Sequence, residues 1–211
     1  VLNYTKYAAP YCHRFNMKFK GPVDSTQAGD ETYIKIDGNH AYTFFFITPT
    51  RRKISAYHID DSRDTLPATI AMNEAIRTAP DDQDLTLITD GNPSYASGIH
   101  YLNESREKYK IIHKKVIGLQ NLDSVSTEFR PFKQLIERLN RTYKFHVQAA
   151  NGFNSTKGAI ALTTLFVTYY NFFRPHASLN YEAPIPRDDL NFIPTLQGKW
   201  AKILNSAFSL N

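Results

Sequence analysis

The sequence predicts an α/β domain built on a mixed β-sheet, and three observations carry that prediction. Three strand-like runs follow one another between Glu31 and Ile59. A helical run, a short strand, a second helix and another short strand then alternate as far as Ile117. Two longer helical runs come after them. Helices interleaved with strands, following strands joined by turns, give a layered α/β architecture whose sheet is mixed.

Residues 1–20 read as helical, with Leu2, Tyr4, Tyr7, Tyr11 and Phe15 interleaved with polar and basic residues, and Pro10 kinking or ending the run. Residues 21–29 are polar, opened by Gly21-Pro22, and read as a linker. From Glu31 to Ile36 the residues alternate, with Tyr33 and Lys35 on one face and Thr32, Ile34 and Ile36 on the other. Asp37-Gly38-Asn39 marks a turn, and Ala41–Ile47 is almost wholly apolar, as a strand covered on both faces should be. Ile54–Ile59 is a third strand.

A helix follows, capped by Ser62 or Asp64, with Pro67 in its first turn and Leu66, Ile70, Ala71 and Ile76 near one face. Leu85–Thr89 is a short strand stopped by Asp90-Gly91-Asn92-Pro93. A helix within Pro93–Tyr109, a strand within Lys110–Ile117 and a loop over Leu119–Thr127 come next. Phe132, Leu135, Ile136, Leu139 and Tyr143 recur at helical spacing and face a core, leaving Lys133, Glu137, Asn140, Arg141 and Lys144 on the other side. A last apolar helix covers about Thr156–Phe173. Pro175, Pro184 and Pro186 then punctuate a tail whose weakly amphipathic end around Trp200 is a candidate partner surface.

With 211 residues, 42% of them hydrophobic, the chain can bury a real core. One cysteine, Cys12, excludes an internal disulfide and a Cys-rich zinc site, and fits a reducing interior such as the cytoplasm. No apolar run is long enough to cross a membrane. The chain opens on Val, which suggests an N-terminal piece beyond it. The net charge of +5 is modest, but ten Lys and Arg against five acids between Tyr101 and Ala150 make a basic stretch suited to a polyanion.

The familiar hydrolytic signatures are absent: no GxSxG elbow, no GxxxxGK[ST] loop, no HExxH pair. Three acids stand out instead. Asp30 opens the first strand, Asp90 sits where the fourth strand ends, and Glu137 lies on a helix amid Lys133, Arg138 and Arg141. Each alone has a bland explanation as a strand end, a turn-former or a helix ion pair. Three converging carboxylates, however, suit two-metal phosphoryl transfer, in which two Mg²⁺ ions roughly 3.5–4 Å apart hold the attacking and leaving oxygens.

Gly29-Asp30-Glu31-Thr32-Tyr33-Ile34-Lys35 with Gly38, Ile88-Thr89-Asp90-Gly91, and Ile136–Lys144 resemble, in order, the three acid-bearing motifs of bacterial and archaeal insertion-sequence DDE transposases. Gly152-Phe153 and Tyr170–His176, with Leu179 and Pro184, resemble the C-terminal signature of the same family. The resemblance implies a ribonuclease H-like core shared with retroviral integrases, a mixed sheet flanked by helices. It makes Asp30, Asp90 and Glu137 the catalytic residues and metal ligands, with two Mg²⁺ ions for which Mn²⁺ would substitute. It further implies that Lys133, Asn140, Arg141 and Lys144 bind DNA, that the partners are double-stranded transposon ends and target DNA, and that the protein is a homo-oligomer acting in a prokaryotic cytoplasm at the nucleoid. The reaction would be DNA strand cleavage, then strand transfer by the freed 3′-hydroxyl.

Glu128 gives a shorter spacing from Asp90, but it precedes Pro131 and is expected before the helix begins, so Glu137 is preferred. On this reading 1–20 is a remnant of a helix-turn-helix DNA-binding region, 21–29 a linker, 30–186 the catalytic core and 187–211 a C-terminal tail, with an insertion near Gly118–Thr127. Arg174 and His176 either close a helix end or approach the DNA. The alternatives are a catalytically silent, transposase-derived DNA-binding protein, a nuclease acting on RNA–DNA hybrids, and a two-carboxylate glycosidase.

Overall fold

The computed structural model describes residues 2–209 apart from Pro22, Thr78, Asp81, 118–122 and 150–151. The chain forms two compact units, Pro22–Gly152 on one hand and Val1–Gly21 with Phe153–Asn211 on the other, so the expected 30–186 core straddles both.

The first unit holds the sheet. Its strands are β1 (Thr26–Ile36), β2 (Asn39–Ile47), β3 (Ile54–Asp60), β4 (Leu85–Thr89) and β5 (Ile111–Lys115), in the spatial order β3-β2-β1-β4-β5. The hairpin-linked strands β1, β2 and β3 pair antiparallel, whereas β4 joins β1, and β5 joins β4, in parallel. The mixed sheet read from the sequence is therefore present.

The strand β1 starts at Thr26, so Asp30 lies inside it and does not open it, and the expected linker ends before Gly29. Polar Gln27 disguised this stretch. It is buried, and its side-chain amide donates to the Ala75 carbonyl at 3.0 Å while its carbonyl oxygen accepts from the Ser55 hydroxyl. Both halves of the amide are thus satisfied, which removes the cost of burying it. Gly29 is dictated by crowding: a Cβ there would stand 2.2 Å from the Phe46 ring.

The apolar run of β2 divides between two faces, as alternation along a strand requires. Phe44 and Phe46 pack with Ala68, Ala71 and Met72 of α2 (Thr65–Ile76) and with Tyr95 and Ile99 of α3 (Pro93–Glu104). On the other face Phe45 meets the Tyr143 ring edge-on at 4.9 Å, from α4 (Ser124–Ala149). Of the expected apolar stripe of α2, Ala71 and Ile76 are buried but Leu66 and Ile70 are exposed; the buried residues are Pro67, Ala68, Thr69, Ala71, Met72, Ala75 and Ile76. Small alanines let this helix approach the sheet closely.

The helix α4 also starts earlier than the sequence suggests. Asp123 caps it, accepting the Ser126 N–H on Oδ1 at 2.8 Å, and the helix runs through Pro131. Proline removes its own N–H bond and crowds the carbonyl four residues back, yet the helix continues through it from turns already capped ahead. The expected loop over 119–127 is thus helical from Ser124, and its 119–122 part lies outside the described residues.

The second unit is helical: α1 (Leu2–Lys18), α5 (Thr156–Phe172), the short α6 (Asp188–Asn191) and α7 (Leu196–Phe208). Pro10 neither ends nor divides α1. Phe15, Phe172, Leu190, Ile203 and Ala207 share one buried cluster, so residues 187–211 contribute to a core. Trp200 packs against Phe173 at 4.9 Å, and Arg174 and His176 gather around the Tyr170 ring.

Candidate active site

Strands β1 and β4 run in parallel from Thr26↔Thr86 to Ala28↔Ile88. Asp30 and Asp90 each stand two residues past that last pair. Asp30 lies within β1 and Asp90 directly follows β4, and one oxygen of each carboxylate comes within 4.8 Å of the other where the paired strands part. Clefts beyond the carboxyl ends of parallel strands are where open α/β sheets gather ligands.

The turn after Asp90 is built to hold its carboxylate. The Asn92 backbone N–H donates to Asp90 Oδ1 at 2.9 Å, while the Asn92 side-chain oxygen Oδ1 accepts from the Ser94 N–H and so caps α3, with Pro93 at its first position. The Asn92 amide also donates to Glu31 Oε1 at 3.1 Å. Asn92 thereby links two acids fifty-nine positions apart in the chain.

Glu31 is the functional-site candidate that the sequence reading passed over. Its side chain is 8% exposed, and Tyr95 donates its hydroxyl to Oε2 at 2.6 Å, with Arg63 4.0 Å from Oε1. One carboxylate oxygen each from Asp30, Glu31 and Asp90 lies within 4.8 Å of the others. The signal was its place next to Asp30 in a strand whose other charged residue, Lys35, faces solvent.

Two residues of α4 hold Asp30. Lys133 Nζ sits 2.9 Å from Oδ1, and the Asn140 amide donates to Oδ2 at 3.1 Å. Glu137 is four residues after Lys133 and three before Asn140, so it shares their helical stripe and faces the same side. It is half-buried and stands outside the close group of three carboxylates. Glu128 lies inside α4, not before it, and is exposed. Nine residues separate it from Glu137, which places it about 180° around the helix.

Of the residues expected to meet DNA, Lys133 and Asn140 are therefore buried against Asp30, Arg141 is exposed, and Lys144 lies 4.0 Å over the Tyr33 ring.

Burial is the dominant influence on Asp30, pushing its carboxyl from 3.8 to about 6; Lys133 opposes this, and Glu31 and Asp90 reinforce it. Burial, followed by the Glu31 charge, raises the Tyr95 phenol well above its ordinary value, so it stays a donor. His113, 2.8 Å from the Thr89 hydroxyl, is lowered to about 4 by burial and then by Lys115, with Asp90 pulling the other way.

The donor set fits a hard divalent cation. Carboxylate oxygens suit Mg²⁺, whose opposite ligands stand roughly 4.2 Å apart, so a group within 4.8 Å needs little closure. The Asn140 Oδ1 beside it is buried with no hydrogen-bond donor among the described residues, a further oxygen available to a bound cation or its water.

The fold resembles those of solved structures. A chain of a simian T-cell lymphotropic virus intasome solved in complex with the PP2A regulatory subunit B56 gamma superposes with a TM-score of 0.53 at 17% identity over 83% of this chain. The present chain spans 56% of that protein's length. The HTLV-2 integrase catalytic core, solved with magnesium, aligns at 14% identity with a TM-score of 0.48, covering 78% of this chain and 96% of that one. No curated protein sequence matches the chain. The fold is thus the ribonuclease H-like one that the sequence implied, and no helix among the described residues is long and apolar enough to cross a membrane. The model of the DDE domain of IS240-type transposases matches residues 25–162, well over half of the sequence, and the chain belongs to that family.

Proposed function

We propose that the chain catalyses metal-dependent cleavage and joining of DNA strands, with Asp30, Asp90 and Glu137 as the catalytic carboxylates. The observation that carries this reading is the approach of the Asp30 and Asp90 carboxylates where β1 and β4 part, beside the α4 stripe that bears Glu137. Mg²⁺, when bound, would supply Lewis-acid polarisation of the phosphoryl oxygens and lower the pKa of the attacking hydroxyl.

The residues of the chain do the rest. Asp30 and Asp90 present oxygens at fixed spacing, because the parallel register and the Asn92 N–H leave them little freedom. Asn140 orients Asp30, and Lys133 offsets its charge until a cation does. In the joining step the 3′-hydroxyl of one strand loses its proton and forms a bond to a target phosphorus, and the target's own 3′-oxygen leaves with the bonding pair. Nothing in this step needs a covalent enzyme intermediate; positioning and charge neutralisation suffice. The reading entails double-stranded element ends and target DNA as partners, and an assembly of copies that brings two ends together. The exposed Arg141, with Lys144, would neutralise backbone phosphates.

Strand transfer on pre-cut element ends, with Mg²⁺ or Mn²⁺, tests it in full-length protein. Glu137→Gln should abolish joined product and Glu128→Gln should leave it. A dead Glu128→Gln beside an active Glu137→Gln would overturn the third carboxylate, and a wild type that joins nothing with either metal would overturn the catalytic reading.

A further inference from the structure

A pocket of about 230 Å³ opens beside β1, past the point where β4 stops pairing with it. Tyr33 and Lys35 form one wall, Lys144, Val147 and Gln148 of α4 the other, and Gly152 closes an end. Gly152 has a φ of +88°, and a Cβ there would stand 3.3 Å from the Lys35 carbonyl oxygen, so a side chain would be strained and would crowd the pocket.

The lining is selective in its chemistry. It contains two lysines and no acid. Tyr33 is 55% exposed, an unusual degree for an aromatic residue in a strand, and His40 on β2 flanks its ring at 5.8 Å. Lys144 Nζ lies 4.0 Å from the centre of that ring. The pocket therefore offers a π-face, two cations, the apolar Val147 and, in the exposed Gln148, an amide that both donates and accepts. A nucleobase with its phosphates needs this combination: stacking on an aromatic ring, neutralisation of the backbone, and a polar group at the base edge.

Its place in the fold agrees. Tyr33 is three residues past Asp30, roughly 10 Å along an extended strand. Lys144 is seven residues past Glu137, again roughly 10 Å along a helix. The pocket thus lies within a few nucleotides' reach of the carboxylates.

We infer that this pocket binds an unpaired nucleobase of the DNA, stacked on Tyr33 and held by Lys35 and Lys144, next to the strand end being joined. The inference takes its ligand from the DNA-joining reading above and adds an unpaired base as the element recognised.

The test uses full-length protein and short duplexes carrying either a thymidine overhang or an abasic overhang of equal length. Binding is read by fluorescence anisotropy in Ca²⁺, and joining in Mg²⁺ is measured alongside. Wild type should prefer the thymidine overhang by about five- to tenfold, the low end for stacking one base on an aromatic ring. Tyr33→Ala should lose that preference and Tyr33→Phe should keep it, a pattern that general loss of fold does not produce. Lys35→Glu should weaken both overhangs alike. Equal binding of the two overhangs by wild type, or an undiminished preference in Tyr33→Ala, overturns the inference. Wild type that shows the Tyr33-dependent preference but joins nothing leaves the pocket standing and removes the catalytic reading instead.

Discussion

Tyr95, wholly buried on α3, donates its hydroxyl to Glu31 of β1 at 2.6 Å, so the helix that follows the second aspartate grips the strand that bears the first. Removing only the oxygen isolates that tie. Tyr95→Phe keeps the ring and leaves Glu31 one donor short, and should cost about 1–3 kcal/mol of stability. It should also lower strand transfer, because Glu31 and Asp90 share Asn92. Urea titration and a joining assay read the two effects; unchanged values in both would show the bond to be incidental.

Gly29→Ala should destabilise the protein by about 1–3 kcal/mol through overpacking against the Phe46 ring. Phe46→Leu, which trims the ring, should recover part of that loss when the two are combined. The measurement is a double-mutant cycle in urea; additive effects would mean the crowding is relieved some other way.

Asp30 sets a pH dependence with a definite sign. Its carboxyl is raised in the fold from 3.8 to about 6, so its favourable contribution to stability is complete below about pH 4 and is lost as the pH rises through 6. A divalent cation binds the ionised form, so Mn²⁺ affinity should fall as the pH drops through 6. The rise in Tm on adding Mn²⁺ should be larger at pH 8 than at pH 5. Asp30→Asn should flatten the metal-free stability profile between pH 4 and 6; a profile identical to wild type would contradict the assignment.

Lys133→Met removes the ammonium 2.9 Å from Asp30 and leaves a buried carboxylate without its counter-charge. Breaking such a pair from one side costs about 3–5 kcal/mol above the pH at which the carboxyl ionises. The loss should shrink at pH 5 and on adding Mn²⁺. Thermal melts at two pH values, with and without metal, show whether it does.

Much of this arrangement was legible in the residues. The apolar run Ala41–Ile47, the breaker after Thr89 and the stripe Leu135–Tyr143 mark a central strand, a strand end and a packed helix, because each pattern has a direct physical cause. Places where tertiary partners overrode local preference were not legible. Gln27 reads as loop until Ala75 and Ser55 satisfy it, and Pro131 reads as a boundary until Asp123 caps the turns ahead of it. Lys133 and Asn140 read as a solvent-facing side because periodicity sorts residues by polarity, and a buried ion pair breaks that rule. Glu31 was hidden for a related reason: its donors, Tyr95 and Asn92, come from more than sixty positions away.

The crowding of Gly29 by Phe46 has a chemical consequence. Asp30 and Glu31 are neighbours that start from opposite faces of one strand, one held by Lys133 and Asn140 and the other by Tyr95 and Asn92, although one oxygen of each comes within 4.8 Å of the other. Sliding β1 by a single position against β2 would exchange the two acids between those surroundings. Only a residue without a side chain fits under the Phe46 ring, so a slip in either direction would force Ala28 or Asp30 into that space. The bare backbone at Gly29 thus acts as a key that decides which of two adjacent carboxylates meets the helix carrying Glu137.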